Sequence, residues 1–135
     1  MSYFLAKTDP ETYAIDDLMR EKKTVWNGVR NPQAVKVIKS MKIGDMVFVY
    51  ESGKASAIVG LMQVVSQPRP DEKDPKSWVV DVKYIKKFPN SISLKTIKST
   101  HRFDDWNLVY QSRLSTMAVP QNFIDWIKKN WPDYL

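Results

Sequence analysis

The sequence predicts an α+β fold, in which short helices surround a small curved sheet or barrel of β-strands. Strand-forming runs and helical segments do not alternate in the regular order that parallel βαβ units require. The helical segments are short, and Gly60 interrupts a central apolar run, as happens where a strand bends or a neighbouring backbone comes close. The chain has 135 residues and no internal repeat, so we expect a single domain over residues 1–135.

The first two predicted elements are a strand and a short helix. Tyr3–Ala6 is an apolar run that the polar segment Lys7–Pro10 ends, as expected of a buried strand. Apolar residues at helical spacing follow, and Asp16 and Asp17 fall in the first turn of that helix. Adjacent side chains on a helix point about 100° apart. We therefore interpret the two carboxylates as compensation of the helix dipole, not as an acid/base pair.

The segment Trp26–Asn31 brings a large aromatic ring, a glycine, a cation and amides together. Asn31 followed by Pro32 predicts the start of a helix, because asparagine accepts hydrogen bonds from the first amides and proline suits the first helical position. The free amides of this helix point back into the loop, where they attract anions. Taken alone, such a loop is more often a tryptophan packed under a glycine turn.

The helix that starts at Pro32 has an apolar stripe and a basic face. The stripe consists of Ala34, Val37, Ile38 and Met41. The basic residues off the stripe are Lys36, Lys39 and Lys42. They would form a phosphate-facing strip beside the loop, although exposed lysines on a helix are usually only solvated.

Three strands are predicted in the middle of the chain. Met46–Tyr50 and Ala57–Val65 are continuous apolar runs, which is typical of strands covered on both faces. Residues 78–84 alternate between apolar or aromatic and more polar side chains, so they predict a strand with one wet face. The segment Gln67–Lys76 is rich in proline and charge, and we interpret it as one long surface loop.

The last third of the chain predicts two helices and two strands. Ser93 is expected to cap a short helix. Leu108–Ser115 and Thr116–Val119 are interpreted as two strands separated by a polar kink. Pro120 begins a final helix with a broad apolar face.

The composition argues against catalysis and against a bound metal. The chain has no cysteine and a single histidine, His101, which we interpret as a structural or surface residue. It contains no G-x-S-x-G segment, its adjacent carboxylates lack the spacing of metal ligands, and its four glycines cannot build a glycine-rich phosphate loop. We expect no catalytic residue, no metal and no cofactor.

The charge predicts a polyanionic partner, and the hydropathy predicts no membrane segment. Lys and Arg outnumber Asp and Glu by 21 to 15, which gives a net charge of +6 and favours nucleic acid as a partner. No apolar run approaches the roughly 20 residues of a membrane span, and the N-terminus lacks a basic segment followed by an apolar one. We expect a cytoplasmic protein, and the sequence gives no indication of its oligomeric state.

Five segments together carry a family resemblance. They are Lys7-Thr8-Asp9-Pro10, Trp26-x-Gly28-Val29-Arg30-Asn31-x-Gln33-Ala34, Gly44-Asp45 before Phe48-x-Tyr50-x-Ser52, Trp78-Val79-Val80-Asp81-Val82-Lys83, and Gln111-x-Arg113-Leu114-Ser115. In this order the chain resembles the EVE domain, a member of the PUA-like group that includes the YTH and SRA readers. The resemblance implies a β-pseudobarrel of five or six strands with short helices packed around it, and a pocket for a flipped, modified base in DNA or RNA.

The resemblance also implies the residues of the site. The base pocket would comprise Thr8, Trp26, Gly28, Val29, Asn31, Tyr50, Ser52, Arg113, Leu114 and Ser115. Phosphate would be bound by Lys7, Arg30, Lys36 and Lys39. In this arrangement Trp26 forms an aromatic wall, and Asn31 reaches a polar edge of the base. The family often has a histidine where Glu51 stands, and a carboxylate that pointed inward there would repel phosphate.

Three functions stay open at this point. The first is a non-catalytic reader of a modified base. The second is an enzyme, or an enzyme subunit, that acts on modified nucleic acid through Asp81, Asp104 or His101. The third is a module that binds a small molecule or a protein.

Overall fold

The computed structural model describes residues 1–135 and contains seven β-strands and five helices. The strands are β1 (Tyr3–Thr8), β2 (Lys23–Trp26), β3 (Met46–Glu51), β4 (Ala57–Val64), β5 (Arg69–Asp71), β6 (Asp74–Ser93) and β7 (Thr116–Ala118). The helices are α1 (Ile15–Glu21), α2 (Pro32–Ser40), α3 (Leu94–Ser99), α4 (Asn107–Tyr110) and α5 (Gln121–Asn130). None of these helices combines the length and the apolar character that crossing a membrane requires.

The strands form one sheet in the order β2-β6-β4-β3-β1-β7, and β5 pairs with β6 outside this path. Every pair of neighbours is antiparallel except β1 and β3, which run parallel. The end strands β2 and β7 do not pair with each other. The α+β class is therefore confirmed, and the sheet has seven strands where five or six were expected.

The long strand β6 bends the sheet where Gly60 faces it. The register between β4 and β6 shifts between Ile58 and Gly60, and again after Leu61. A Cβ atom at Gly60 would lie 2.4 Å from the backbone oxygen of Lys86, much closer than a real contact. The close backbone approach predicted at Gly60 is confirmed, and it lets β6 curve across β4.

The core lies on both faces of the central strands and continues into a C-terminal aromatic cluster. Residues 47–50 of β3 are all buried, which confirms a strand covered on both sides. Helix α5 packs Phe123 against Phe103 and Trp106, with ring centroids 5.2 and 4.7 Å away. The Trp106 indole donates a hydrogen bond to the backbone oxygen of Ala118 at 2.9 Å. The cluster thus ties α5 to β7.

The predicted helix starts are confirmed at two positions. The Asn31 side chain accepts hydrogen bonds from the backbone N–H groups of Gln33 and Ala34, and Pro32 is the first residue of α2. The Ser93 side chain accepts from the backbone N–H of Thr96 at the start of α3. Both caps satisfy amides that the helix itself leaves unpaired.

The two aspartates of α1 have separate structural partners. Asp17 accepts a hydrogen bond from the backbone N–H of Ala14 at 2.8 Å, and this bond holds the pKa of its carboxyl below the usual value. Asp16 forms an ion pair with Lys87 of β6 at 2.8 Å. They support the first turn of α1 and its contact with the sheet, as the dipole interpretation expects.

Two predictions of secondary structure were wrong, and the first concerns a segment rich in proline. Gln67–Lys76 is not one long loop, because β5 pairs with the start of β6 as a hairpin. Pro70 is tolerated in β5 because this strand lies at an edge, where a missing N–H costs no ladder bond.

The predicted strand over Leu108–Ser115 was also wrong. It contains α4 and a connecting loop, because Leu108 and Val109 are too few apolar residues to distinguish a helical from an extended period. Strand β2 was missed for a related reason, since Lys23 and Val25 are exposed and the four residues lie at the end of the sheet.

Candidate functional site

A cavity of about 390 Å³ opens beside Trp26, a size within the range of small-ligand sites. Its walls consist of Lys7, Thr8, Thr12, Tyr13, Thr24, Val25, Trp26, Asn27, Gly28, Val29 and Ser115. These residues come from the end of β1, the turn before α1, strand β2 with the loop after it, and the residue before β7. Because β2 and β7 stand at opposite ends of the strand order, the sheet must curl to bring both to one cavity.

Trp26 is the aromatic wall of this cavity and is only 7% exposed. Its ring meets Tyr13 edge-on, with centroids 6.3 Å apart. The indole N–H makes no hydrogen bond within the protein, and no buried side-chain nitrogen or oxygen lacks a partner. The N–H of Trp26 is therefore reached by solvent, which leaves one free donor on an otherwise packed ring.

Lys7 is half-buried at the end of β1. Its ammonium donates a hydrogen bond to the backbone oxygen of Ser112 at 2.9 Å and lies 5.4 Å from the centre of the Tyr50 ring. Burial lowers the pKa of Lys7 because the ammonium loses part of its hydration. Lys7 forms no ion pair, so this charge is held by a carbonyl dipole and an aromatic face.

The turn before α1 is fixed over the cavity by hydrogen bonds. The Thr8 hydroxyl donates to the backbone oxygen of Tyr13 at 2.7 Å. The Tyr13 hydroxyl donates to Glu21 at 2.7 Å. Burial, and then the bond to Glu21, raise the pKa of Tyr13 to about 12. Tyr13 is accordingly neutral at physiological pH and covers the Trp26 ring as a phenol.

The loop between α4 and β7 contributes Ser115 to the cavity and is held at three points. The Lys7 backbone N–H donates to the backbone oxygen of Ser115 at 2.8 Å. Leu114 is anchored in the core. The side-chain amide of Gln111 donates to Gln33 of α2 at 2.7 Å. The loop therefore links the first turn of α2 to the end of β1.

A second, open depression lies next to the cavity and is basic. It measures about 720 Å³ and is lined by Arg30, Pro32, Val35, Lys36, Lys39, Pro75, Lys76 and Trp78, a set that we call the basic groove. The Lys39 ammonium lies 4.7 Å from the centre of the Trp78 ring. Arg30 pairs with Asp74 at 2.8 Å while its side chain stays largely exposed. Four cations and no carboxylate line this groove, so its surface attracts anions.

Half of the predicted pocket residues line the cavity, namely Thr8, Trp26, Gly28, Val29 and Ser115. The other half are Asn31, Tyr50, Ser52, Arg113 and Leu114, which do not line it. The reasons differ from residue to residue.

Asn31 uses its side-chain oxygen in the cap of α2. Tyr50 and Leu114 are buried in the core. The Ser52 hydroxyl donates to the backbone oxygen of Thr8 at 3.2 Å. Arg113 is exposed on the loop, outside the cavity wall.

The predicted phosphate-binding residues separate into two places. Arg30, Lys36 and Lys39 gather in the basic groove, whereas Lys7 lines the cavity. Glu51 does not face the cavity, because its carboxylate accepts a hydrogen bond from the backbone N–H of Ile15 at 2.9 Å. The repulsion considered for a carboxylate at this position does not arise.

Several lining residues were not foreseen from the sequence. In the cavity they are Thr12, Tyr13, Thr24, Val25 and Asn27, and in the groove they are Lys76 and Trp78. The alternation of Thr24 and Trp26 with exposed neighbours was a signal for β2 that could have placed them. Lys76 was not predicted as a site residue because its segment was interpreted as a surface loop.

The residues of the enzymatic alternative do not meet at the cavity. Asp81 pairs with Arg69 at 2.9 Å on β6. His101 and Asp104 lie 3.6 Å apart and are both exposed in the connection after α3. No group of three or more His, Cys, Asp or Glu side chains could hold a metal ion.

Comparison with known proteins gives consistent results. Thymocyte nuclear protein 1 of Rattus norvegicus is 31% identical over 162 aligned residues, which cover 93% of this chain and 72% of that protein. The crystal structure of human THYN1 protein in complex with 5-methylcytosine containing DNA matches with a TM-score of 0.86 and 28% identity, over 96% of both chains. An NMR structure from Rhodopseudomonas palustris matches with a TM-score of 0.87 and 29% identity, over 96% of this chain and 92% of that one.

The relatives of this chain are called nuclear proteins. The cytoplasmic location that we expected for this chain therefore stays a prediction. The family match itself runs from residue 2 to residue 130 and is to the EVE domain. This chain therefore belongs to the EVE domain family.

Proposed function

We propose that this protein is a non-catalytic nucleic-acid-binding domain, which holds one flipped, modified base in the Trp26 cavity and the neighbouring phosphates in the basic groove. The partner is DNA or RNA that carries such a base. The proposal is carried by one observation: an aromatic-walled cavity and a four-cation groove lie side by side, joined by consecutive residues. Val29 lines the cavity and Arg30 lines the groove.

Cavity and groove have complementary physical roles in this proposal. Stacking on an aromatic ring contributes roughly 1–3 kcal/mol for any base, so Trp26 holds a base without identifying it. Identification comes from the polar groups of the cavity, such as the Trp26 N–H and the side chain of Asn27. The cations of the groove supply affinity that is independent of sequence and falls with salt.

The related human protein supports nucleic acid as the partner, since it was crystallised with DNA that contains 5-methylcytosine. The cavity lining contains no carboxylate and no histidine, the side chains that most often serve as general acids and bases, and this supports a binding role. The residues of the enzymatic alternative do not meet at the cavity. A small molecule would fit the cavity by size, but it would leave the basic groove without a role.

The proposal is tested by binding to oligonucleotides that are identical except for one base, measured by fluorescence anisotropy at several salt concentrations. The probes carry cytosine, modified cytosine, adenine or modified adenine at the same position. We expect at least one modified probe to bind tighter than its unmodified partner. Equal, weak and purely salt-dependent affinity for all probes would contradict base reading.

A variant that fills the cavity makes the test specific. Thr12 is exposed at the cavity and its side chain makes no hydrogen bond, so Thr12→Trp fills the space without removing a core contact. We expect Thr12→Trp to abolish the preference for the modified base and to keep the salt-dependent affinity of the groove. The matched control is Ser99→Trp on the exposed side of α3, which is outside the cavity lining and should bind like the wild type.

A further inference from the structure

Lys7 is the one charged side chain among the residues that line the cavity. The remaining polar side chains are hydroxyls and one amide, and the lining contains neither a carboxylate nor a histidine. The cavity therefore has a net positive charge and no anionic acceptor.

The carboxylates nearest to Lys7 in sequence are Asp9 and Glu11, which are exposed and do not line the cavity. Three further carboxylates are held by other partners. Glu51 accepts from the backbone N–H of Ile15 at 2.9 Å. Glu21 accepts from the Tyr13 hydroxyl at 2.7 Å, and Asp17 accepts from the backbone N–H of Ala14 at 2.8 Å. None of the three lines the cavity, so Lys7 has no counter-ion there.

This charge distribution restricts the kind of base edge that fits. The exocyclic amino group of cytosine is a donor, which proteins read with a carboxylate. A cavity with an ammonium and no carboxylate instead favours an added group on the base that presents acceptors or a negative charge. The Lys7 ammonium has three N–H donors and uses one on the Ser112 carbonyl, so two are left for a ligand.

The burial of Lys7 increases the benefit of an anionic ligand. A half-buried ammonium has lost part of its hydration, which is why burial lowers its pKa. A carboxylate that approaches it makes a charge-assisted hydrogen bond, the stronger class of such bonds. Lys7 is also set apart from the cations of the groove, which line a different depression.

We propose that the base held in the cavity is a pyrimidine that carries a carboxylate, and that the Lys7 ammonium reads this group. This inference rests on the proposed function and assigns Lys7 to the base, where the sequence placed it with the phosphates. Lys7 is then the specificity-determining residue, and Trp26 supplies stacking.

The test uses three oligonucleotides that differ only in one base: cytosine, 5-methylcytosine or 5-carboxylcytosine. Wild-type protein should bind the carboxylated probe about tenfold or more tighter than the unmodified one, the range of one charge-assisted hydrogen bond. Lys7→Met keeps the apolar stem beside Tyr50, and it should lose this advantage. Lys36→Met is the matched change in the groove and should weaken binding to all three probes alike.

Each other outcome overturns a defined part of the inference. If 5-methylcytosine is preferred and 5-carboxylcytosine is not, base reading stands and the assignment of Lys7 fails. If all three probes bind equally, the assignment of Lys7 fails, and the modified-adenine probes then decide whether the proposed function fails as well. If Lys7→Met weakens all three probes equally, Lys7 contacts phosphate and the inference is wrong.

Two further variants keep the test independent of any folding defect in Lys7→Met. Lys7→Arg keeps the charge and should keep the preference for the carboxylated probe. Thr12→Glu places a carboxylate in the cavity wall and should remove the preference while Lys7 is intact. Retention of the preference in Thr12→Glu would contradict the electrostatic reading.

Discussion

Trp106 and Trp26 are both almost completely buried, at 4% and 7% exposure, yet their surroundings differ. The Trp106 N–H donates to the backbone oxygen of Ala118, and its ring packs against Phe103 and Phe123. Trp26 has an indole N–H without a protein partner, one edge-on aromatic contact and a cavity beside its ring. Similar burial therefore accompanies two different environments.

The difference shows what separates a structural indole from the proposed wall of a binding site. A buried N–H costs free energy unless it is hydrogen-bonded, and Trp106 meets this condition inside the protein. Trp26 leaves its donor to solvent, and a ligand in the cavity could accept from it. The unpaired donor and the adjacent space, more than exposure, mark Trp26 as the candidate.

The largest expected effect is on stability. Trp106→Ala should lower the free energy of unfolding by about 3–5 kcal/mol, because it removes a packed ring and leaves the Ala118 carbonyl without its donor. Trp26→Ala should cost less, since one side of that ring already faces empty space. Urea denaturation of both variants measures the order, and an equal or larger loss at Trp26 would contradict the comparison.

The second effect is on base binding. Trp26→Leu retains an apolar side chain under Tyr13 and removes the stacking surface. The affinity for the preferred modified probe should fall by roughly 5- to 150-fold, which corresponds to the loss of about 1–3 kcal/mol of stacking. Trp106→Phe is the control, because it changes the other indole and should leave the affinity of folded protein unchanged. Comparable losses in both variants would show that Trp26 acts only through stability.

The features that depend on local chemistry were predictable from the sequence. Asn31 and Pro32 gave the start of α2, because a cap needs only a side-chain acceptor next to free amides. Gly60 predicted a point where two backbones approach closely, and the apolar run at Met46–Tyr50 predicted a strand that is buried on both faces. Each of these predictions involves a few consecutive residues.

The cavity depends on topology and was only partly predictable. Its walls come from β1, the turn before α1, β2 and the residue before β7, which meet because the sheet curls. Tyr13 and Thr12 carry no pattern that indicates this meeting. The same limit explains Lys7, which family resemblance grouped with Arg30 although the two line different depressions.

The third effect concerns the groove and is smaller. Lys76→Gln should lower affinity for every oligonucleotide alike and reduce the slope of log K against log salt by roughly 0.7–0.9, because one phosphate contact is lost. The modified-base preference should persist, since the cavity is untouched. A change in preference at unchanged salt slope would place Lys76 in base reading and weaken the division between cavity and groove.

The substitution Asp74→Asn should have the opposite effect on affinity to that of Lys76→Gln. It releases Arg30 from its ion pair and removes a negative charge beside the groove. Asparagine keeps the side-chain oxygen that accepts from the Lys76 backbone N–H at 3.0 Å, so the hairpin is retained. Affinity for all probes should rise, and a fall would indicate that the Arg30–Asp74 pair shapes the binding surface.

The smallest effect is on pH dependence and tests the cover over Trp26. Trp106 is enclosed by fixed aromatic rings, whereas Trp26 is covered by Tyr13, whose pKa is raised from 10.0 to about 12, first by burial and then by its bond to Glu21. Between these values the unfolded chain loses the Tyr13 proton before the folded protein does. The contribution of Tyr13 to stability is therefore complete below pH 10 and declines as the pH rises toward 12.

Tyr13→Phe removes this titration and keeps the ring over Trp26. The difference in unfolding free energy between wild type and Tyr13→Phe should shrink or reverse as the pH rises from about 10 to about 12. Lysines that titrate in the same range cancel in this difference, because both proteins carry them. The absorbance of tyrosinate, measured as wild type minus variant, gives the pKa directly. A measured pKa of Tyr13 near 10.0 would show that its ring is not held in a buried position. Trp26 would then be covered by a mobile side chain and not by a fixed one.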